Sequence, residues 1–169
     1  LDVKAFDDQL YSLISEKLQL SSFQPTNNGA VRLSGLELQA SAAIASNWWV
    51  FANYAYLRNH AATNPLETTQ YSRRSGSIGA WTSLGAGWTV SAAYYGSSGN
   101  GLGQSDYGRT DLTVGKSFAG PGHKIETALS VRRLDNLEQT YFRDFGATGT
   151  LRTGYDSRGQ WLGQVRVSF

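Results

Sequence analysis

The side chains of this sequence with the most chemical capacity are few and far apart. His60 and His123 fall in different predicted connections, at opposite ends of the predicted strands. They are therefore poorly placed to share a metal, whose protein ligands must converge on one point. Cysteine is absent, which removes disulfides and thiolate chemistry and leaves the redox compartment open. "GKS" at Gly115 to Ser117 lacks the upstream glycine of a phosphate-binding loop, since position 110 is threonine, and it sits inside a strand-like run. "GNGLG" at Gly99 to Gly103 opens no helix and reads as a loop. A hydrolytic site at His60 would need an orienting carboxylate and a nucleophile, and no spacing supplies them. Neither an enzyme nor a bound cofactor is expected. The richest stretch is "LEQTYFRDFGATGTLRTGYDSR". There Tyr141, Phe142, Arg143, Asp144, Phe145, Arg152 and Tyr155 could hold a small molecule between aromatic and charged groups. Pairing of Arg143 with Asp144, and rings packing the loop onto itself, is the competing reading.

These residues must be carried by some scaffold, and composition narrows it. The chain has 169 residues with 15 basic and 13 acidic side chains. That balance offers no electrostatic footprint for nucleic acid. Glycine (19) and aromatics (12%) are generous while proline (3) is scarce, which suits strands and tight turns better than helices. The first residues, "LDVKAFDDQL", do not read as a signal peptide. Leu38 to Leu57 carries no charge and is long enough for a spanning helix. However, "ASNW" interrupts it with turn-forming residues, and Gln39, Ser41 and Asn53 would meet lipid, so two strands and a turn are expected instead.

Read for period two, the chain divides into eight segments: 1–15, 31–45, 48–58, 71–84, 88–96, 107–118, 124–133 and the closing "WLGQVRVSF". In the last, Trp161, Gly163, Val165, Val167 and Phe169 share one parity, and Gln164 and Arg166 the other. The connections "SN", "GAG" and "AGPGH" are short hairpin turns. Those over 16–30, 59–70, 97–106 and 134–158 are long. Short and long alternate, so all long loops leave one end of the sheet, which is the habit of membrane-spanning barrels. Greek-key sandwiches mix lengths at both ends.

Aromatic residues gather at both strand ends. Trp48, Trp88, Phe118 and Phe169 lie beside the short turns, and Tyr54, Tyr56, Tyr94 and Trp161 lie toward the long loops. Two such belts suit the two interfaces of a bilayer. Glu37, Arg109, Asp111, Glu126, Arg132 and Arg166 have the opposite parity and are expected to face a lumen. A soluble cup of the lipocalin type would be inverted, with its apolar side chains inside. The expected fold is therefore all-β: antiparallel up-and-down transmembrane barrel strands, about eight in the chain, with backbone groups paired because lipid cannot satisfy them.

Several stretches resemble the C-terminal third of TonB-dependent outer-membrane receptors. "LSGLELQASAAIASNWWVFANYAYL" is similar to a frequent hairpin of that family, with a "G-x-E" strand, a short turn before Trp and an "F-x-N-Y-x-Y" strand. "SGSIGAWTSLGAGWTVSAAYYG", "YGRTDLTVGKSF" and the final strand resemble the succeeding hairpins and the family ending. "VRRLDN" departs from the family's usual "v-x-N-L-f-D", with Arg133 at the common Asn. The resemblance implies that residues 1–169 are one barrel segment, without plug, of a barrel of about 22 strands. It also implies uptake of a scarce nutrient such as a ferric siderophore, and residence in the bacterial outer membrane among its lipids. Barrel-assembly machinery would read the strand ending at Phe169. The TonB energy-transducing complex would be reached only through N-terminal parts absent from this sequence. A stand-alone eight-stranded barrel with a structural or adhesive role is the alternative, and it requires 1–15 to pair with 159–169.

Overall fold

The structure, a computed structural model, describes residues 1–19, 22–62, 71–99, 106–135 and 159–168. Among these, the regular elements are strands: β1 (Asp2–Gln19), β2 (Ser22–Ala45), β3 (Trp48–Ala62), β4 (Arg74–Gly85), β5 (Trp88–Ser97), β6 (Tyr107–Gly120), β7 (His123–Leu134) and β8 (Gly159–Ser168). They form one eight-stranded sheet in sequence order, every neighbour antiparallel. The uncharged Leu38 to Leu57 makes the end of β2, the Ser46–Asn47 turn and most of β3. Among the described residues, no helix is long and apolar enough to cross a membrane. Asn47 ties its turn to the next strand, donating from Nδ2 to the Ser83 carbonyl at 2.9 Å.

The short turns fall where expected, at Ser46–Asn47, Ala86–Gly87 and Pro121–Gly122. The tight "GAG" turn needs left-handed backbone at Gly85 (φ 82°) and Gly87 (φ 77°), and Ala86 is drawn into the same region (φ 45°). Glycine meets that demand without a Cβ penalty.

The first connection differs from the expectation. Rather than a long loop over 16–30, β1 and β2 continue pairing to Gln19↔Ser22, past register shifts between Leu10, Leu13 and Ser15. β3 likewise runs to Ala62, still paired with Val31. The sequence of this region carries no period two, and backbone pairing by itself does not require it. β4, β5, β7 and β8, at 12, 10, 12 and 10 residues, are close to the roughly 9–11 residues that cross a bilayer. The 18, 24 and 15 residues of β1 to β3 project well past them at the long-loop end.

The ladder sorts the side chains. Residues opposite one another on antiparallel strands share a face, so Val50↔Ala80↔Ala92↔Leu112↔Val131↔Trp161 is one apolar row. Gln39↔Asn53↔Ser77↔Tyr95↔Arg109 is a polar one. Among the described residues, no second layer covers either row. Leu112 is 51% exposed and Val165 70%. So extensive an apolar surface requires a partner medium.

The polar face also holds large rings. Trp49 stands directly opposite Trp81, and Phe51 lies over Gly79, where an added Cβ would come within 2.5 Å of the ring. A ring covering a cross-strand glycine fills the space the missing side chain leaves. Gly79→Val is expected to cost about 2 kcal/mol, within the range for overpacking, because the ring tip can swing aside but the Ala92 carbonyl, 2.9 Å from the added Cβ, is backbone and cannot. Urea unfolding should show the loss, and combining it with Phe51→Ala should remove only the part due to the ring.

Candidate functional site

Arg109, Asp111, Arg132, Glu126, Arg166 and Glu37 all take the polar-face register. The fold brings only the first three together. Asp111 is the shared anion: its Oδ2 lies 3.0 Å from Arg109 and its Oδ1 accepts from Arg132 Nε at 3.2 Å. Tyr95, directly across from Arg109, presents its ring 4.2 Å from that guanidinium. Arg109 is thus held on one side by a carboxylate and on the other by a π face, which suits the planar guanidinium. Its Nε is buried and has no hydrogen-bond partner among the described residues.

Nearer the short turns, Glu126 pairs with Lys124 at 2.5 Å and stands opposite Arg166. Glu37 lies apart on β2 with Lys4 at 3.7 Å. Thr113 and Ser130 share a hydrogen bond of 2.9 Å between these charged groups. The polar face is therefore a sequence of locally compensated charges. The more exposed pairs, Lys4–Glu37 and Lys124–Glu126, contribute little stability individually, but all of them present fixed donors and acceptors to whatever lies above.

Trp48, Trp88 and Phe118 take the apolar register at the short-turn end, and Tyr54, Tyr56, Tyr94 and Trp161 take it toward the other end. Lys116 joins the first group, its ammonium 4.9 Å from Trp88 and 5.5 Å from Phe118, and it donates to the Ala86 carbonyl. Its stem lies among rings while its head reaches the turn, the usual behaviour of lysine at an apolar boundary. "GKS" is accordingly strand, within β6.

His60 and His123 stand at opposite ends of the sheet. His60 Nε2 shares a 2.5 Å hydrogen bond with Ser34 Oγ, and His123 Nδ1 lies 3.0 Å from the Pro121 carbonyl. Among the described residues, no cluster of potential metal ligands occurs. Past the level of Tyr56, where β1 to β3 project, Arg32 grips Asp7 at 2.7 and 3.1 Å. Hydrogen bonding from that guanidinium holds the Asp7 carboxyl below its ordinary range. Tyr141, Phe142, Arg143, Asp144, Arg152, Tyr155 and Phe169 lie outside the described residues.

Sequence reading missed Lys4, Tyr95, Trp49, Phe51 and Trp81 as members of the polar face. For four of them the signal was present, because each is one position out of step with an apolar residue already assigned outward. Lys4 had no such neighbour, since the first segment alternates too weakly.

Residues 1–137 match a family model described as TonB dependent receptor-like, beta-barrel. The chain belongs to this family. The match takes in β1 to β7 and ends shortly after Leu134. β8 extends the same sheet through ten paired positions from Arg133↔Gly159 to Lys124↔Ser168. Nothing matches among curated proteins or among solved structures. TonB-dependent receptors are outer-membrane transporters rather than enzymes, and the all-β meander agrees with a receptor barrel. The expected barrel class therefore stands, with its sheet open: β1 pairs only with β2 and β8 only with β7 among the described residues.

Proposed function

We propose that this chain is the C-terminal barrel segment of a TonB-dependent transporter that carries a scarce nutrient such as a ferric siderophore across the bacterial outer membrane. The observation that carries this reading is the unbroken eight-strand meander whose ladder sends charge to one face and apolar side chains to the other. A closed sheet in lipid needs that division. The apolar face then meets acyl chains, with Trp48, Trp88, Phe118 and Phe169 at the inner interface and Tyr54, Tyr56, Tyr94 and Trp161 at the outer one.

The polar face lines the lumen, where Glu37, Arg109, Asp111, Glu126, Arg132 and Arg166 confront the plug or the substrate path. The aromatic and charged side chains from Tyr141 to Tyr155 are the candidate ligand contacts at the outer rim. Assembly proceeds through the strand ending at Phe169, and energy arrives through TonB bound to N-terminal parts of the whole receptor. The eight-stranded alternative is disfavoured because β1 and β8 are not partners among the described residues.

The test is nutrient uptake by the full-length receptor in a Gram-negative strain lacking its own siderophore receptors. Radioactive iron supplied as a panel of ferric siderophores should accumulate only when TonB is present. Surface-exposed, correctly inserted receptor that gives TonB-dependent uptake of vitamin B12 or a sugar would overturn the siderophore assignment alone. Uptake that continues without TonB would overturn the transporter reading.

A further inference from the structure

Two adjoining hollows indent the apolar face. The lower, of about 730 Å³, lies over Ala40, Ala52, Ala80 and Ala92, where larger side chains would have filled the wall. The upper, of about 560 Å³, continues from Ala52 and Ile78 between the rings of Tyr54 and Tyr94 to Arg74 and Ser98. Gly76 and Gly96 are paired beneath it. An added Cβ at Gly76 would meet the Tyr54 ring at 3.6 Å, and one at Gly96 the Tyr94 ring at 3.2 Å. Both hollows include Ala52, Ile78 and Tyr94, so together they form one groove along the strands, apolar below and cationic at its mouth.

The mouth is built from β2 to β4. Tyr56 stands opposite Arg74, and Ser34 opposite Arg58, so both arginines share the apolar register just past the tyrosine level. Both are exposed, and neither has an ion-pair partner among the described residues. The nearest carboxylate on β1, Asp7, is already occupied by Arg32. Asp106 lines the same hollow and accepts from the Gly99 amide at 2.6 Å; two guanidiniums against that one carboxylate leave the mouth with a net positive charge.

We infer that this groove holds one phosphate-bearing membrane lipid, its phosphate on Arg58 and Arg74 and an acyl chain between Tyr54 and Tyr94 on the alanine floor. Basic residues at the headgroup level attract anionic lipids, guanidinium is the side chain best shaped for phosphate, and an apolar groove beneath them admits one chain. The inference rests on the proposal that this face meets the bilayer.

The experiment is native mass spectrometry of the full-length receptor in detergent, titrated with phosphatidylglycerol, phosphatidylcholine or inorganic phosphate. One phosphatidylglycerol should be retained in preference to phosphatidylcholine. Arg58→Gln with Arg74→Gln should weaken it by roughly tenfold or more. Ala80→Phe, which fills the floor, should weaken both lipids alike, while Arg133→Gln, on β7 outside the groove, should change neither. Equal retention of the two lipids, or loss of neither with the arginine pair removed, overturns the inference. So does inorganic phosphate displacing the lipid at equal concentration with Ala80→Phe silent. A receptor that stays monodisperse without detergent would instead overturn the membrane reading beneath it.

Discussion

Leu112→Arg is expected to cost the folded receptor about 2–4 kcal/mol, the penalty for a guanidinium on the lipid face near mid-bilayer. Leu112 lies near the middle of β6, between Ala92 on β5 and Val131 on β7, and neither neighbour offers an anion. Half of its side chain is open to the surroundings, so the change creates no cavity and no clash. Its cost would come almost entirely from the medium. Ser91→Arg, one position away from Ala92 and on the other face, should cost less than about 1 kcal/mol, as surface substitutions commonly do. Urea unfolding of the full-length protein in lipid vesicles, read by heat-modifiable electrophoretic mobility, separates the two. Equal costs would mean that the two faces see the same solvent, and the orientation proposed for the sheet would be wrong.

The second large effect is expected at Asp111. Asp111→Ala leaves Arg109 and Arg132 on adjacent strands without the carboxylate they share. Asp111 and Arg109 are each about three-quarters buried, at 25% and 26% side-chain exposure, so water replaces the lost contacts only in part. A loss of about 2 kcal/mol is expected, in the range for hydrogen bonds to charged groups. Adding Arg132→Ala should recover part of it, because the second change removes one of the two stranded cations. Arg109 should be the less tolerant partner, since Tyr95 fixes it in place. If the double variant is as unstable as the sum of the single ones, Asp111 and Arg132 do not act as a pair.

Much of this organisation was legible one residue at a time. The alternation Leu112, Val114 and Phe118 against Arg109, Asp111 and Thr113 assigns β6 its two faces before any partner is known. The "SN" and "GAG" turns mark their hairpins because few residues tolerate such backbone. Trp49 and Trp81 were legible by the same parity, but tryptophan beside tryptophan at 48–49 draws attention to the outward member only. The extension of β1 and β2 to Gln19 and Ser22 had no such signature. Polar sequence without alternation is compatible with strand and loop alike.

Local sequence thus determined the strands, their two faces, the end of the sheet that carries the long connections, and the all-β class. Those properties depend on period and on turn chemistry, which each short segment carries within itself. The tertiary structure alone decided that Asp111 serves Arg109 and Arg132 while Glu37 stands apart. It also decided that Phe51 roofs Gly79, and that a groove climbs the apolar face to two arginines without an ion-pair partner among the described residues. Each of these depends on the register between strands far apart in the chain, and a shift of one residue would exchange every face. Pairing energy summed over a whole ladder sets that register, and no single strand contains it.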